Sequence, residues 1–317
     1  MSSKTFFFDL TRYCGRSLRK ICYPPGMRAA VIFGLGSSER DLGPFRTGAI
    51  IWQIGLPPAS DSADAILLFG GDGTIHRHLP ELVRLGLPVL VVPRGSGNDF
   101  ARAIGIRNTK TALHAWSQFA SGQNNVRTID LGLITSNQPA SRRFFCTVGG
   151  IGLDAEVARR ANNLPRWFRG HGGYAAALPG ALFGFAPVPM KISVGEGSTY
   201  TDRSDQATIL AAFANGPTYG GGMKIAPKAC MDDGLLDVCV VRGIDRLRLF
   251  CLFPTVYFGK HLAISAVDYF QTPALKIETD CPLDVYADGE FVCQTPMEVS
   301  VASAALRAII PARREES

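Results

Sequence analysis

The chain has 317 residues, with 33 Lys and Arg against 27 Asp and Glu, so its formal net charge is +6, and 46% of its residues are hydrophobic. A chain of this length and apolar content can bury a sizeable core, which excludes a disordered protein, a disulfide-stapled miniature domain and a fibrous repeat. The basic excess is concentrated at the start, where residues 1–28 carry six basic groups and one acid. No basic stripe follows, so we predict no nucleic-acid partner.

Cysteine usage and hydropathy indicate the compartment. The eight cysteines show no Cys-x-x-Cys spacing, and no apolar run reaches the roughly 18 residues of a membrane-spanning helix. Free cysteines are typical of a reducing environment. We therefore predict a cytoplasmic protein.

Residues 1–27 are predicted to form a basic leader ahead of the folded part. Apolar residues recur at positions 10, 14, 18 and 21 while the arginines gather elsewhere, a pattern typical of an amphipathic helix. Pro24 and Pro25 end this helix. Two interpretations stay open: the helix lies on an anionic membrane surface, or it packs on its own domain with solvated arginines.

Residues 28–130 alternate strand-like and helical patterns. Short apolar runs rich in β-branched residues occupy 29–33, 50–54, 65–69 and 89–92, and helical spacing occupies 75–85. Alternation of strands with helices is typical of a parallel sheet with helices packed on its faces. We predict an N-terminal doubly wound α/β domain.

Residues 131–311 are predicted to form a second, mostly β domain, followed by a tail at 312–317. Strand-like runs occupy 144–148, 190–194, 207–213, 236–241, 274–278, 283–286 and 297–301. Helices are predicted at 155–161, near 174–183 and from 246 to 263. The C-terminal end of this second domain is predicted either to stay within it or to pack back on the first domain.

The first motif follows the third predicted strand and reads Gly70-Gly71-Asp72-Gly73-Thr74. Glycines let the backbone approach a bulky anion, and the amides at the N-terminus of the next helix point at it. This pattern predicts a phosphate cradle. The alternative is a glycine-rich turn in which Asp72 or Thr74 caps the helix.

The second motif occupies residues 93–102 after the fourth strand and contains Gly95, Ser96, Asn98 and Asp99. Parallel sheets bind ligands at the carboxyl ends of their strands, so both motifs are expected to share one crevice. Ser96 is suited to donate to a phosphate oxygen, and Asp99 to hold magnesium or its bound water. The alternative is that Asn98 and Asp99 only cap a helix.

Together these residues resemble the diacylglycerol-kinase catalytic family, in its soluble bacterial lipid-kinase branch, which has relatives among sphingosine and ceramide kinases. The resemblance spans about residues 28–311. Besides the two motifs, it is carried by Gly150 to Ala155, the stretch from Asn215 through Gly220 to Asp237, Gly259-Lys260-His261, and Asp288-Gly289-Glu290.

The resemblance implies a two-domain kinase, with nucleotide and active site in the cleft between an α/β nucleotide-binding domain and a β-sandwich-like domain. The first motif and Ser96 would bind ATP. A structural Mg²⁺ would be held by the Asp233 side chain and by the carbonyls of Cys230 and Leu235. Asp288 or Glu290 would act as the general base.

The chemistry of the residues agrees with these roles. Phosphoryl transfer to a hydroxyl needs charge neutralisation on the phosphates and a carboxylate to take the proton. Asp72 and Asp99 suit the metal, and Asp288 or Glu290 suits the proton. The alternative for the last pair is an exposed hairpin turn with solvated acids.

The chain also departs from the family pattern. The family usually continues Ile-Asn-Glu after the first motif, where this chain has Ile75-His76-Arg77, and Arg94 replaces a usual Leu. His76 and Arg94 are predicted either to reach phosphate or to lie on the surface.

The leading hypothesis is an ATP- and Mg²⁺-dependent kinase that phosphorylates a lipid alcohol, diacylglycerol-like or sphingoid, from a peripheral position at the inner face of the membrane. Two alternatives stay open: a catalytically silent lipid- or nucleotide-binding homologue, and a kinase for a soluble substrate, similar to NAD kinases.

Overall fold

The computed structural model describes residues 26–46, 48–137, 140–163, 173–197 and 199–312. The helix predicted in the basic leader and almost all of the predicted tail lie outside these ranges. Both therefore stay predictions.

The first part of the chain forms a parallel sheet with helices between its strands. Its strands are β1 (Arg28–Phe33), β2 (Ile51–Ile54), β3 (Ala65–Gly70) and β4 (Val89–Pro93), and its α-helices are α1 (Glu39–Leu42), α2 (Asp72–Leu85), α3 (Asp99–Ala103) and α4 (Thr109–Ala120). The order across the sheet is β2-β1-β3-β4, all parallel. Strand β3 is buried along its whole length, which explains its unbroken apolar sequence.

The second part is mostly antiparallel strand. Its strands are β5 (Val126–Asn137), β6 (Ala140–Phe145), β7 (Val148–Gly152), β8 (Val188–Pro189), β9 (Lys191–Glu196), β10 (Thr199–Ser204), β11 (Ala207–Ala214), β12 (Leu236–Arg242), β13 (Val267–Thr272), β14 (Ala274–Glu278), β15 (Asp284–Ala287), β16 (Glu290–Gln294) and β17 (Met297–Ile309). Its helices are α5 (Leu153–Asn162), α6 (Gly173–Gly184) and α7 (Arg246–Val256), with a 3₁₀ turn at Lys260–Ala263.

Two sheets organise these strands within the described residues. One runs β10-β9-β14-β17-β4-β3-β1-β2, with β5 and β6 joined beside β17; the other runs β13-β12-β11-β7-β15-β16, with β8 beside β11. A shared apolar core lies between the second sheet and the antiparallel end of the first, where the rings of Phe145 and Phe213 lie 5.6 Å apart. The predicted α/β fold with a sandwich-like second domain is confirmed.

Strand β17 connects the two parts. It pairs antiparallel with β5 and β14 and then reaches β4, where Ala308 lies opposite Val89 in a parallel arrangement. The end of the second part therefore returns to the first sheet. The domain boundary predicted after residue 130 falls within β5 and stays a prediction.

Two predicted elements differ from the observed ones. The run at 144–148 is not one strand, because β6 ends at Phe145 and β7 begins at Val148. The two residues between them turn their backbone N–H groups to a buried carboxylate. The helix predicted over 246–263 ends at Val256, and Gly259 has a left-handed backbone with φ of 67° that an α-helix cannot continue.

Candidate active site

The two glycine-rich loops meet at the carboxyl ends of β3 and β4. Gly70 and Pro93 are partners in the parallel ladder, and the Arg94 amide donates to the Gly70 carbonyl at 3.0 Å. A Cβ placed on Gly71 would lie 2.7 Å from the Gly95 Cα, closer than real Cβ contacts. Only glycines at these two positions allow the loops to touch, so the structure brings the two motifs together as predicted.

Asp72 joins the first loop to the second. Its carboxylate accepts hydrogen bonds from the backbone N–H groups of Asp99, at 3.1 Å, and Phe100, at 3.0 Å. Burial, followed by the charge of Asp99, raises the pKa of Asp72 to about 6. The neighbouring carboxylates of Asp72 and Asp99 are therefore suited to bind a cation.

Asn98 has its side chain engaged within its own loop. Its backbone is left-handed, with φ of 53°, and its amide accepts from the Gly95 N–H at 2.9 Å and donates to the Gly95 carbonyl at 2.5 Å. The side chain thus closes the second loop. Ser96, in contrast, is exposed and lines the cleft.

Asp99 links the second loop to the β-rich part. One oxygen pairs with Arg102 at 2.7 Å, and the other accepts from the backbone N–H of Gly221 at 2.9 Å. Gly220, Gly221 and Gly222 all have positive φ, so this distant loop can present its amides only because these residues are glycines. The hydrogen bond from Gly221 to Asp99 therefore joins the two sides of the cleft.

Asp288 and Glu290, which the sequence treats as equivalent candidates, differ sharply. Asp288 has a left-handed backbone, with φ of 49°, and its side chain is 0% exposed. Its carboxylate accepts from the N–H groups of Cys146 and Thr147, both at 2.9 Å, from the Thr147 hydroxyl at 2.7 Å, and pairs with His76 at 3.1 Å. Asp288 is an anchored carboxylate.

The His76–Asp288 pair joins α2 to the turn between β15 and β16. Burial opposes the charged form of His76, but the hydrogen bond and charge of Asp288 outweigh it and raise the pKa of His76 above 6.5. Burial likewise opposes an ionised Asp288, but the hydrogen bond and charge of His76, with the donors of Thr147 and Cys146, hold its pKa below 3.8. The two groups favour an ion pair.

Glu290 is exposed and lies over the N-terminus of α2. Its Oε1 is 3.1 Å from the position that a Cβ on Gly73 would occupy, so Gly73 also leaves room for this carboxylate. The two acids differ in exposure because Gly289, with φ of 84°, sits between them in a turn. Glu290 is therefore the acid of this pair that can meet a substrate.

A cleft of about 390 Å³ contains these groups. Its walls come from both parts of the chain: the first wall includes Gly71, Asp72, Gly73, Thr74, Gly95, Ser96 and Asp99, and the second includes Thr147, Asp154, Tyr219, Gly221, Asp288 and Glu290. The cleft between the two domains predicted as the active site is thus present, with the predicted acids on its walls.

An apolar cavity of about 70 Å³ adjoins this cleft. Asp154 and Tyr219 line both spaces, and the Tyr219 hydroxyl donates to Asp154 at 2.6 Å. The rest of the cavity is formed by α5, α6, α7 and neighbouring strands, through side chains such as Val157, Leu182 and Phe253. The motifs that contain Asp154 and Tyr219 carry part of the family resemblance, but nothing in their sequence indicates a role for either residue.

The turn proposed for a structural metal lies outside the cleft lining. Asp233 uses Oδ1 to accept from the Leu235 N–H at 3.1 Å, and the Cys230 thiol donates to Asp232. Buried Asp130 accepts from the Gly234 N–H at 2.9 Å and fixes the turn. In the described part of the chain no cluster of three or more His, Cys, Asp and Glu could hold a metal, so carbonyl oxygens would have to complete such a site. Carboxylate and carbonyl oxygens are ligands that Mg²⁺ accepts.

The two departures from the family pattern have different surroundings. His76 contacts Asp288, as described above. Arg94 forms an ion pair with Asp41 at 2.7 Å and is partly exposed. Arg94 thus ties the second loop to α1.

Among the helices that the structure describes, none is both long enough and apolar enough to cross a membrane.

Two family models match successive parts of the chain. Residues 57–134 match the diacylglycerol kinase catalytic domain, and residues 147–310 match the YegS C-terminal NAD kinase beta sandwich-like domain. The first match contains both glycine-rich loops, and the second contains Asp154, Asp288 and Glu290.

Similar proteins agree with these matches. A Mycobacterium tuberculosis protein named diacylglycerol kinase is 35% identical over 255 residues, covering 78% of this chain and 77% of that protein. A Shewanella frigidimarina protein named as a YegS-like lipid kinase is 24% identical over 262 residues, covering 80% of this chain and 78% of that protein. A solved Bacillus anthracis structure has the same fold, with a TM-score of 0.69 at 19% identity, covering 93% of this chain and 98% of that one. The chain therefore belongs to the diacylglycerol-kinase catalytic family, among the bacterial YegS-like lipid kinases, and is a phosphotransferase that acts on an alcohol group.

Proposed function

We propose that the protein transfers the γ-phosphoryl group of ATP, with Mg²⁺, to the hydroxyl of a lipid alcohol, diacylglycerol-like or sphingoid. The observation that carries this proposal is the junction of two unlike spaces at Asp154 and Tyr219. On one side lies a polar cleft with two glycine-rich loops and an exposed carboxylate, and on the other an apolar cavity. A lipid alcohol has the same division between a polar head and an apolar chain.

The first wall of the cleft is suited to the nucleotide. The backbone amides of Gly71 and Gly73 stand at the start of the 14-residue helix α2, where the helix dipole favours an anion, while the Thr74 N–H donates to the Gly71 carbonyl at 2.9 Å and holds the loop in shape. Gly70 and Gly95 allow close backbone approach, and Ser96 offers a hydroxyl. Asn98 keeps the second loop in shape.

Magnesium would offset the negative charge that the phosphates bring to Asp72 and Asp99. Burial first, and then the charge of Asp99, raises the pKa of Asp72, and a divalent cation beside these two carboxylates would favour their ionised forms. When bound, the ion would neutralise charge on the transferred phosphoryl group. A second, structural Mg²⁺ is proposed at Asp233, with the carbonyls of Cys230 and Leu235.

Glu290 is proposed as the proton acceptor. The acceptor hydroxyl oxygen attacks the γ-phosphorus, the bond from that phosphorus to the bridging oxygen breaks, ADP departs, and the hydroxyl proton moves to Glu290. Asp288 is unsuited to that step because its oxygens already accept four hydrogen bonds from N–H and O–H groups and its pKa is lowered. Asp288 instead orients the turn that carries Glu290.

A lipid substrate also implies work at a membrane surface, and we propose a peripheral association from the cytoplasmic side. The basic leader is one candidate for the contact. Attraction of its arginines to anionic lipids would weaken with added salt.

Labelled ATP offered with a panel of diacylglycerol, phosphatidylglycerol, sphingosine, ceramide and undecaprenol tests the proposal. We expect label on at least one lipid, and its loss in Glu290→Gln. Lipid binding without label transfer would favour a silent homologue, and label on NAD alone would favour a soluble-substrate kinase. Either result would reject the proposed function.

A further inference from the structure

Helix α7 is apolar on two opposite sides. Its inner side, through Leu249, Phe253 and Val256, lines the apolar cavity. Its outer side carries Leu247, Phe250, Cys251 and Pro254 at spacings of three, one and three residues, which places them along one stripe. Phe258, which follows the helix, extends this side of the chain. We call the set of Leu247, Phe250, Cys251, Pro254 and Phe258 the outer stripe.

The outer stripe is exposed in the described structure. Leu247 is 73% exposed, Phe250 52% and Phe258 72%. Exposed apolar residues that occur singly are ordinary, but three large ones in twelve consecutive positions form a patch that calls for a partner.

Basic residues border the outer stripe. Arg246 and Arg248 stand at the start of α7 and Lys260 follows its end, all exposed. The acid beside them is Asp245, which pairs with Arg248 at 3.2 Å, while neither Arg246 nor Lys260 has a carboxylate within 4.0 Å in the described part of the chain. Apolar side chains bordered by cationic groups match the interface of an anionic bilayer.

A second cavity lies beside the N-terminal end of α7. It measures about 330 Å³ and has Arg246 and Asp245 among its lining residues. It shares Leu153, Leu182 and Leu249 with the apolar cavity, which in turn adjoins the cleft at Asp154 and Tyr219. The second cavity, the apolar cavity and the cleft are therefore neighbouring spaces that lie between the N-terminal end of α7 and the catalytic groups.

We infer that the outer stripe, with Arg246, Arg248 and Lys260, docks on an anionic lipid bilayer and sets the second cavity against the membrane as the entry for a lipid chain. This inference rests on the proposed function, because a lipid substrate gives the entry its purpose. The docking itself needs no catalysis. It can be measured with vesicles that contain no acceptor lipid.

The experiment uses the full chain and sedimentation with vesicles of one-third phosphatidylglycerol in phosphatidylcholine. The test variant changes Leu247, Phe250 and Phe258 to Ser. The matched control changes Ile51 and Ile54 to Thr, since these are 60% and 57% exposed on β2 in the first part of the chain. We expect the triple variant to bind at least tenfold more weakly than the parent, and the control to bind within twofold.

The charged border is tested separately with Arg246→Gln and Lys260→Gln. Each basic group near an anionic leaflet strengthens binding about fivefold, so each variant should lose roughly that factor at low salt and little at high salt. Binding to pure phosphatidylcholine vesicles should be weak for every form.

Three results would overturn the inference. The first is a triple variant that binds anionic vesicles as well as the parent. The second is loss of binding only when residues 1–24 are removed, which would assign the contact to the leader. The third is a parent that is a dimer and a triple variant that is a monomer but binds vesicles equally well, which would make the outer stripe an interface between two copies of the chain. A parent that binds vesicles but labels no lipid would instead reject the proposed function alone.

Discussion

Replacing Asp288 with Asn tests whether this carboxylate is an anchor. In the parent, its two oxygens face the backbone N–H groups of Cys146 and Thr147, the Thr147 hydroxyl and the His76 ring. Asn turns one of those oxygens into a donor. His76 and the hydroxyl can reverse their roles, but in either orientation the backbone N–H of Cys146 or of Thr147 is left buried without an acceptor.

The expected cost follows from that unpaired donor and from the lost charge. A buried unsatisfied donor costs about 1–3 kcal/mol and a hydrogen bond to a charged group contributes about 1.5–3 kcal/mol, while removal of a buried charge returns part of this. We expect a net loss of about 2–4 kcal/mol, which lowers the melting temperature of a chain of this length by roughly 3–6 °C.

Thermal unfolding followed by circular dichroism measures the effect, with Glu290→Gln as the matched control. Glu290 is exposed, so its substitution should change the free energy of unfolding by less than about 0.5 kcal/mol. Both variants should lose phosphotransfer, but only Asp288→Asn should lose stability. Equal melting temperatures for Asp288→Asn and the parent would refute the anchoring role.

Three further outcomes are expected. Gly95→Ala places a Cβ 2.6 Å from the Gly71 Cα in the first loop, and calorimetry should show nucleotide binding weakened at least tenfold. Gly43→Ala is the control, because no atom lies within 4 Å of its Cβ, and it should leave nucleotide binding unchanged. Because the pKa of His76 is raised in the folded protein, its ion pair with Asp288 stabilises the fold fully below pH about 6.5, and this stabilisation is lost as the pH rises through the raised pKa. The difference in the free energy of unfolding between the parent and His76→Asn should therefore narrow from pH 6 to pH 9. A difference that stays constant over this range would contradict the ion pair. Leu182 lines the apolar cavity and the second cavity, so Leu182→Phe should narrow both, raise the KM for long-chain lipids several-fold and leave the KM for ATP unchanged.

The glycine-rich loops could be predicted because their signal is local. In β3 and in β4, an unbroken apolar run indicates a buried strand. The glycines that follow each run indicate the turn at the end of that strand. Parallel pairing then predicts that the loops meet. Strand β5 gave no such signal, because buried Asp130 and Gly132 interrupt its apolar pattern. Gly132 is needed there since the Phe145 ring fills the space of its Cβ.

The difference between Asp288 and Glu290 could not be predicted, because it depends on distant partners. The groups that enclose Asp288 are 212 residues away in α2 and 141 or 142 residues away between β6 and β7. Likewise, the apolar cavity and the second cavity are lined by helices that are far apart in the sequence. Sequence periodicity indicated these helices, but not the space between them.

The most direct test of the central claim is transfer of label from γ-labelled ATP to a lipid hydroxyl by the parent and by Glu290→Gln under identical conditions. The parent should label at least one lipid of the panel. Glu290→Gln should have the same melting temperature as the parent but label the lipid at least a hundredfold more slowly, which is the usual contribution of a general base. A variant that labels lipid as fast as the parent would contradict the role of Glu290, and a parent that labels none would contradict the kinase assignment of this site.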